Sequence, residues 1–138
     1  MIKIAKTDID FLKCWAVIKE LRPHLETENF VSMLREMTSE GYQLAFIEEH
    51  EQAVAAVGFR YLQFLFLGKH IYIDDLSTMP EARGKGYGGQ LLDFVENIAR
   101  EKGYSAVTLD SGHQRFTAHR LYINKGYTIS SHHFTKKL

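Results

Sequence analysis

The stretch from His70 to Arg100 carries four glycines within six positions, and this cluster constrains the fold more than any other feature of the chain. The residues before it, Ile71 to Ile73, are typical of a β-strand, and Pro80 ends that strand. Apolar residues then recur every three to four positions, which indicates an amphipathic helix. They are Leu91, Leu92, Val95 and Ile98. A glycine loop that opens a helix presents free backbone N–H groups at the positive end of the helix dipole, so the stretch predicts an anion site suited to phosphate.

Two known loop patterns fit these glycines. Gly84, Gly86 and Gly89 satisfy the dinucleotide pattern G-x-G-x-x-G, and Asp110 lies about twenty residues further on, where that fold places its ribose-binding acid. However, the preceding strand is too polar to be buried on both faces, and three residues separate it from the loop. Too little chain follows for the remaining parallel strands. These observations argue against a dinucleotide site.

The second pattern, R-x-x-G-x-G, is met by Arg83, Gly86 and Gly88 after a strand that ends in Met79-Pro80-Glu81. It resembles the acyl-CoA loop of the GNAT superfamily of N-acetyltransferases. This resemblance implies that acetyl-CoA is the co-substrate, that the loop holds its pyrophosphate, and that the strand pairs with its pantetheine arm through backbone groups. The implied cofactor-binding residues are Leu76, Ser77 and Thr78 of the strand and Arg83, Gly84, Lys85, Gly86, Tyr87, Gly88 and Gly89 of the loop.

The composition fits one cytoplasmic domain that spans residues 1–138. The chain is 45% hydrophobic and 25% charged, with a formal net charge of zero, which argues against binding to nucleic acid or to a membrane surface. No apolar run reaches membrane-spanning length, and the N-terminus lacks a signal-peptide pattern. The single cysteine, Cys14, excludes an internal disulfide and is expected to pack in a helix rather than react. The seven histidines show no zinc-site spacing, so we expect no metal.

The order of patterns along the chain predicts an α+β fold. We expect a strand at 2–5, a helix from Thr7 to Pro23, a helix at 27–37, strands at 42–48, 53–67 and 71–79, the glycine-loop helix, a strand at 105–110, a helix through Ala118, and strands at 127–131 and 133–137. Short turns make the three central strands antiparallel, whereas the helical crossover makes the next strand parallel. A mixed, mostly antiparallel sheet of about seven strands with about four helices is similar to the three-layer GNAT fold. That fold implies that strands four and five splay apart to admit the pantetheine arm.

Asp74 and Asp75 lie just before the implied cofactor strand segment. Strand alternation predicts that their side chains point to opposite faces, so that one faces the cleft. A carboxylate there would bind the ammonium group of the substrate or relay its proton through water. Paired acids at this place also resemble the diamine- and polyamine-acetylating branch of the family. We favour Asp74 for the substrate contact; the alternative for either acid is a solvated or salt-bridged structural role.

The segment Leu121-Tyr122-Ile-Asn-Lys-Gly126-Tyr127 resembles the L-Y-x-x-x-G-F segment of the family, in which the tyrosine points its hydroxyl at the thioester sulfur. A phenol with a pKa of ~10 is protonated at neutral pH and can donate to a thiolate, whose parent thiol has a pKa of ~8.5. Core packing is the alternative role for Tyr122. Arg115 stands where the family often has a cofactor-binding asparagine, and it either meets a cofactor phosphate or is a surface residue.

These features together predict an N-acetyltransferase in which an amine attacks acetyl-CoA directly. The amine, a small molecule or a peptide, is not identified by the sequence. His24, between the first two helices, either lines the acceptor end of the cleft or is an exposed loop residue. A non-catalytic acyl-CoA-binding or regulatory domain on the same fold is the alternative, because a fold does not fix a function. The strand-like C-terminus is compatible with a homodimer.

Overall fold

A computed structural model describes residues 1–138, and its centre is a five-stranded sheet. The strands are β1 (Ile2–Ile4), β2 (Gln43–Glu49), β3 (Gln52–Phe64), β4 (Gly68–Thr78) and β5 (Ala106–Leu109), and they are neighbours in that order. The pairs from β1 to β4 are antiparallel, and β4 and β5 are parallel. The predicted meander and crossover, and with them the α+β class and the mixed sheet, are confirmed.

Five α-helices accompany the sheet, rather than about four. They are α1 (Asp8–Lys13), α2 (Trp15–Leu21), α3 (Phe30–Ser39), α4 (Tyr87–Glu101) and α5 (Phe116–Asn124), with short 3-10 turns at Thr27–Asn29 and Pro80–Ala82. The single helix expected after Thr7 is divided in two at Cys14, where the backbone leaves the α-helical ψ. Leu12, in α1, is 56% exposed. Thr7 does cap α1, through a reciprocal pair of hydrogen bonds with Asp10.

Two apolar clusters fill the layers on either side of the sheet. The first packs α1, α2 and α3 against one face and includes Phe11, Cys14, Val17, Ile18, Phe30, Leu34, Leu44 and Phe46. The second packs α4 against the other face and includes Val57, Phe59, Ile71, Ile73, Leu91, Leu92 and Val95. Alternate residues of the central strands supply the two clusters, so the sheet is covered on both faces and the three-layer arrangement follows.

The two C-terminal strands expected at 127–131 and 133–137 do not form, so the sheet has five strands instead of about seven. Residues 128–138 make no backbone hydrogen bond and are all exposed, including Ile129 at 85% and Phe134 at 92%. Beyond Tyr127, each expected strand offers only one large apolar side chain. Pairing with the four-residue edge strand β5 would therefore bury little apolar surface, which is too little to hold a strand.

Strand β4 contains a bulge at Asp74. Gly58 of β3 pairs with Asp75 and Phe59 pairs with Ile73, so Asp74 is an extra residue without a partner on β3. A bulge of this kind bends its strand and increases the local twist. The bulge lies at the point where β4 also loses its other neighbour, because the pairing of β4 with β5 ends at Ile73 and Leu109.

Candidate active site

The divergence of β4 from β5 opens a cleft in the sheet. Beyond Ile73, β4 continues to Thr78 with one edge unpaired, whereas β5 ends at Leu109. A narrow pocket of about 70 Å³ lies in this opening. It is lined by Leu21 and Arg22 at the end of α2, by Ile73, Asp74 and Leu76 of β4, by Leu109, Asp110, Ser111 and Gly112 at the end of β5, and by Arg115 and Tyr122. The opening therefore brings Asp74, Leu76 and Tyr122, predicted from three separate motifs, to one place.

A larger depression of about 310 Å³ lies elsewhere, between β1 and the end of α3. Lys6 is the one charged residue in its lining, and it holds none of the predicted site residues. Its size alone does not make it a reaction site, because no acid or base faces another group there. The chemistry is concentrated in the smaller pocket.

Asp74 is the acid that lines the cleft. Its carboxylate accepts hydrogen bonds from Nε of Arg60 at 2.9 and 3.1 Å. Burial raises the pKa of Asp74, and the neighbouring Arg60 guanidinium opposes that rise. A carboxylate whose pKa is raised by partial desolvation is a stronger proton acceptor than an exposed aspartate.

Asp75 has a different environment. Its carboxylate accepts from the Tyr42 hydroxyl at 2.8 Å and from Nε of Arg22 at 3.0 Å, and its side chain is 13% exposed. The two acids do not point to opposite faces of the sheet, so that expectation is wrong. The guanidinium of Arg60, which binds Asp74, lies over the ring of Tyr42, and the hydroxyl of Tyr42 donates to Asp75. Both carboxylates are therefore on the same face. The bulge interrupts the alternation on which that expectation rested.

Tyr42, Arg22 and Gly58 hold the bulge in place. The Tyr42 ring lies against the backbone of Gly58, where an added Cβ would be 1.8 Å from the tyrosine oxygen. Nη2 of Arg22 donates to the backbone carbonyl of Asp74 at 2.9 Å while Nε binds Asp75. The sequence analysis did not identify Tyr42, Arg22 or Arg60 as site residues. The only sequence feature that pointed to this region was Gly58, a glycine inside a mostly apolar strand.

Tyr122 lies on α5 and faces the same pocket. Its hydroxyl makes no hydrogen bond to another protein group, whereas the hydroxyls of Tyr42, Tyr72 and Tyr127 all donate to carboxylates. Burial raises the pKa of Tyr122, so its phenol is protonated at neutral pH and can donate. Gly126, with a φ of 93°, follows the end of α5, and the Tyr127 N–H donates to the Tyr122 carbonyl.

The four glycines of the loop have two different structural roles. Gly84 and Gly86 have φ values of 83° and 80°, and no atom lies within 4 Å of a Cβ built on either, so they set the direction of the backbone. Gly88 and Gly89 instead allow close packing of α4 on α5, because an added Cβ would lie 3.1 Å from Leu121 and from Lys125, respectively. Packing therefore explains two of the four glycines.

The N-terminus of α4 has the free donors that an anion site needs. The first backbone N–H that bonds back toward the loop is that of Gln90, which donates to Gly86 at 3.1 Å, so the N–H groups at 87–89 have no intrahelical acceptor. Arg83, 59% exposed at its side chain, donates to the Thr78 carbonyl at 3.3 Å and lies 3.5 Å from Glu20. Lys85 and Tyr87 both contact Glu49, which ties the loop to β2.

The remaining candidates are simpler. Cys14 is fully buried, and its burial raises the pKa of its thiol to about 12, so it is a packing residue. His24 is exposed. Arg115 is exposed too, although it lines the pocket, and it has no hydrogen-bonded side-chain partner. No helix has the length and apolar character needed to cross a bilayer.

Comparison with known proteins decides the family. The sequence profile described as "Acetyltransferase (GNAT) family" matches residues 9–127. The chain belongs to this acetyltransferase family. The chain is 36% identical over 129 residues to the uncharacterized N-acetyltransferase YhdJ of Bacillus subtilis, an alignment that covers 92% of this chain and 91% of YhdJ. It is 39% identical over 66 residues to an aminoalkylphosphonate N-acetyltransferase of Salmonella typhimurium, covering 48% of this chain and 43% of that protein.

Solved structures with low sequence identity share the fold of this GNAT chain. A protein described as a putative acetyltransferase from Agrobacterium tumefaciens superimposes with a TM-score of 0.86 at 19% identity, covering 100% and 99% of the two chains. An aminoglycoside N-acetyltransferase in complex with CoA superimposes with a TM-score of 0.79 at 10% identity, covering 100% and 98%. The expected GNAT fold and N-acetyltransferase activity are confirmed, and the non-catalytic alternative finds no support.

Proposed function

We propose that this GNAT protein holds acetyl-CoA along the free edge of β4 and transfers its acetyl group to a small-molecule amine bound beside Asp74. One observation carries the proposal: Asp74, Leu76 and Tyr122 line a single pocket where β4 leaves β5. At the end of the same strand, the loop at 83–89 offers unpaired backbone N–H groups at the start of α4. A thioester and an acceptor amine could thus meet between a base and an acid.

The cofactor would be held at two places. Its pyrophosphate would lie at the N-terminus of α4, where the helix dipole and free N–H groups favour an anion, with Arg83 exposed beside it. Its pantetheine arm would pair with the backbone at Leu76, Ser77 and Thr78, as an added strand pairs with a sheet edge. Lys85 and Tyr87 would then act on the loop through Glu49 rather than on the cofactor itself.

The chemistry would be a direct attack of the amine nitrogen on the thioester carbonyl. Asp74 would bind the ammonium form and receive its proton, directly or through water, so that a neutral amine attacks. A backbone N–H of β4 would stabilise the oxyanion, and Tyr122 would donate its proton to the departing thiolate. An acyl-enzyme is disfavoured, because Cys14 is buried in the cluster between the sheet and α1–α3 and its pKa is about 12.

A small amine fits this site better than a protein segment. The side chains of α2 and α5 border the pocket on either side of the strands, which restricts access to Asp74. The aminoalkylphosphonate acetyltransferase among the relatives has a small-molecule acceptor in its name, which supports the same class here.

Calorimetry with coenzyme A tests the cofactor part. Gly86→Val should weaken binding strongly, because a branched side chain would stand where the phosphate approaches and would resist a φ of 80°. Gly103→Val is the matched control, since Gly103 follows α4 at the opposite end with a φ of 70° and the same open surroundings. The control should lose similar stability but keep its affinity. Equal affinity of coenzyme A for both variants would contradict the proposed loop.

Product detection tests the transfer itself. Wild-type protein, acetyl-CoA and a panel of small primary amines should release free coenzyme A and give acetylated amine by mass spectrometry. Coenzyme A binding without any acetylated product from the panel, peptides included, would favour the non-catalytic domain instead.

A homodimer is the second part of the proposal. A second copy would cover the unpaired outer edge of β5 and the exposed side chains of Ile129 and Phe134. Light scattering after size-exclusion chromatography should give twice the mass of one chain, and a single-chain mass at micromolar concentration would contradict it.

A further inference from the structure

Glu49 is the last residue of β2, and its side chain reaches across to the start of α4. Its carboxylate accepts from the Tyr87 hydroxyl and from Nζ of Lys85, the latter at 3.4 Å. Lys85 belongs to the glycine loop, and Tyr87 is the first residue of α4. The preceding residue, Glu48, points the other way, as strand alternation leads us to expect, and binds Lys13 of α1 at 2.9 Å. Each acid at the end of β2 thus serves a different face of the sheet.

The loop at 83–86 has little support of its own. All four residues are exposed, and no atom lies within 4 Å of a Cβ built on Gly84 or Gly86. No backbone N–H at 84–89 donates to another protein group. Glycine has more backbone freedom to lose than any other residue, so ordering this loop at the moment an anion binds would reduce the affinity. Side-chain contacts therefore decide how far the loop is ordered beforehand.

The turn after Glu49 fixes the place from which its side chain acts. His50 and Glu51 connect β2 to β3 with φ values of 51° and 64°, in the left-handed region that residues other than glycine seldom adopt. Such conformations persist only where the surrounding structure enforces them, and they are common at functional sites. The turn closes on the pair between Glu49 and Gln52, so the backbone of Glu49 is anchored in the sheet.

We propose that Glu49 is a positioning residue, which holds the loop at 83–86 in its anion-binding form before the cofactor binds. The inference rests on the proposed function, in which this loop holds the pyrophosphate of coenzyme A. Glu49 acts through Tyr87, at the first turn of α4, and through Lys85, in the middle of the loop. The charge of a carboxylate near a phosphate site would, by itself, weaken binding. Positioning and charge thus have opposite effects on the affinity, and an experiment can separate them.

Tyr87→Phe removes the contact without a change of charge. It keeps the ring and deletes only the hydroxyl, so calorimetry should give a Kd for coenzyme A that is about 3- to 10-fold higher, the usual effect of one lost hydrogen bond. Glu49→Ala should raise the Kd at least as much, although it removes a negative charge. The double variant should bind as Glu49→Ala does, because the two residues act through one contact. In acetyl transfer, the KM for acetyl-CoA should rise with the Kd, whereas kcat and the KM for the amine should stay within about 2-fold of the wild type.

Glu48→Ala is the matched control, because Glu48 lies one position earlier on β2 and binds Lys13 at 2.9 Å and Lys3 at 3.5 Å instead of the loop. It also removes an acid and its ion pairs, but its Kd for coenzyme A should equal that of the wild type. Tighter binding by Glu49→Ala, an unchanged Kd for Tyr87→Phe, or an equal rise in Kd for Glu48→Ala would each overturn the inference. A wild type that binds no coenzyme A would overturn the proposed function as well, so the two failures are distinguishable.

Discussion

Gly58→Ala should be among the most destabilising single-methyl additions in this chain. The new Cβ would lie 1.8 Å from the Tyr42 oxygen, 2.4 Å from Cζ and 2.7 Å from Cε1. Tyr42 is buried and belongs to the core cluster beneath α1–α3, and its hydroxyl binds Asp75. The ring cannot move away by a rotation of its end alone, so the methyl group must displace the whole side chain.

The expected cost follows from what is lost. Forcing an extra carbon into a packed core costs about 1–3 kcal/mol, and losing a hydrogen bond to a carboxylate costs about 1.5–3 kcal/mol. Alanine recovers about 0.5–1 kcal/mol relative to glycine in a strand. We therefore expect Gly58→Ala to lower the free energy of unfolding by about 3–5 kcal/mol, a large part of the total for a domain of this size.

Urea denaturation at 25 °C measures this loss. Gly112→Ala is the control, because its Cβ would also be too close to a neighbour, at 2.6 Å, but that neighbour is the exposed and flexible end of Gln114. It should cost less than about 1 kcal/mol. In a Tyr42→Leu background, Gly58→Ala should become much less costly. A loss below about 1 kcal/mol, or an equal loss in both backgrounds, would refute the reasoning.

Three further variants test separate parts of the account. Arg60→Gln removes the charge that opposes the burial-induced rise in the Asp74 pKa, so the acid limb of kcat/KM should move to higher pH. Arg35→Gln, which removes a charge that pairs with Asp8, should leave the acid limb in place. Tyr122→Phe should lower kcat about 10- to 1000-fold with little change in coenzyme A affinity, and an unchanged kcat would make it a packing residue. Glu51→Gly should raise the melting temperature by about 2–5 °C, because Glu51 has a φ of 64°, in the left-handed region that strains a residue other than glycine. A melting temperature below that of the wild type would contradict this backbone strain.

The parts of the fold that depend on local sequence could be predicted. The glycine loop, the helix that follows it and the parallel crossover to β5 result from turn chemistry and apolar spacing within a few tens of residues. The absence of strands at the C-terminus could not be predicted, because a segment such as 127–131 becomes a strand only if it can bury enough apolar surface against its neighbours. Only the three-dimensional arrangement shows that β5 offers a short edge there.

The site was predictable as a set of residues but not as a geometry. Asp74 and Tyr122 come from motifs, and the structure brings them to one pocket, although their roles stay predictions. The arrangement of the two acids depends on pairing between β3 and β4, since the extra residue in β4 is visible only against Gly58. Arg22, 53 residues before Asp75, has no sequence signal that would connect it to that acid.

The most direct test of the central claim compares Asp74→Asn with Asp75→Asn in acetyl transfer from acetyl-CoA to an accepted amine. If Asp74 handles the amine, its variant should lose about 10²–10⁴-fold in kcat/KM for the amine and keep its stability and coenzyme A affinity. Asp75→Asn, which disturbs the contacts with Tyr42 and Arg22, should mainly lower the melting temperature. Full activity of a folded Asp74→Asn variant would contradict the account.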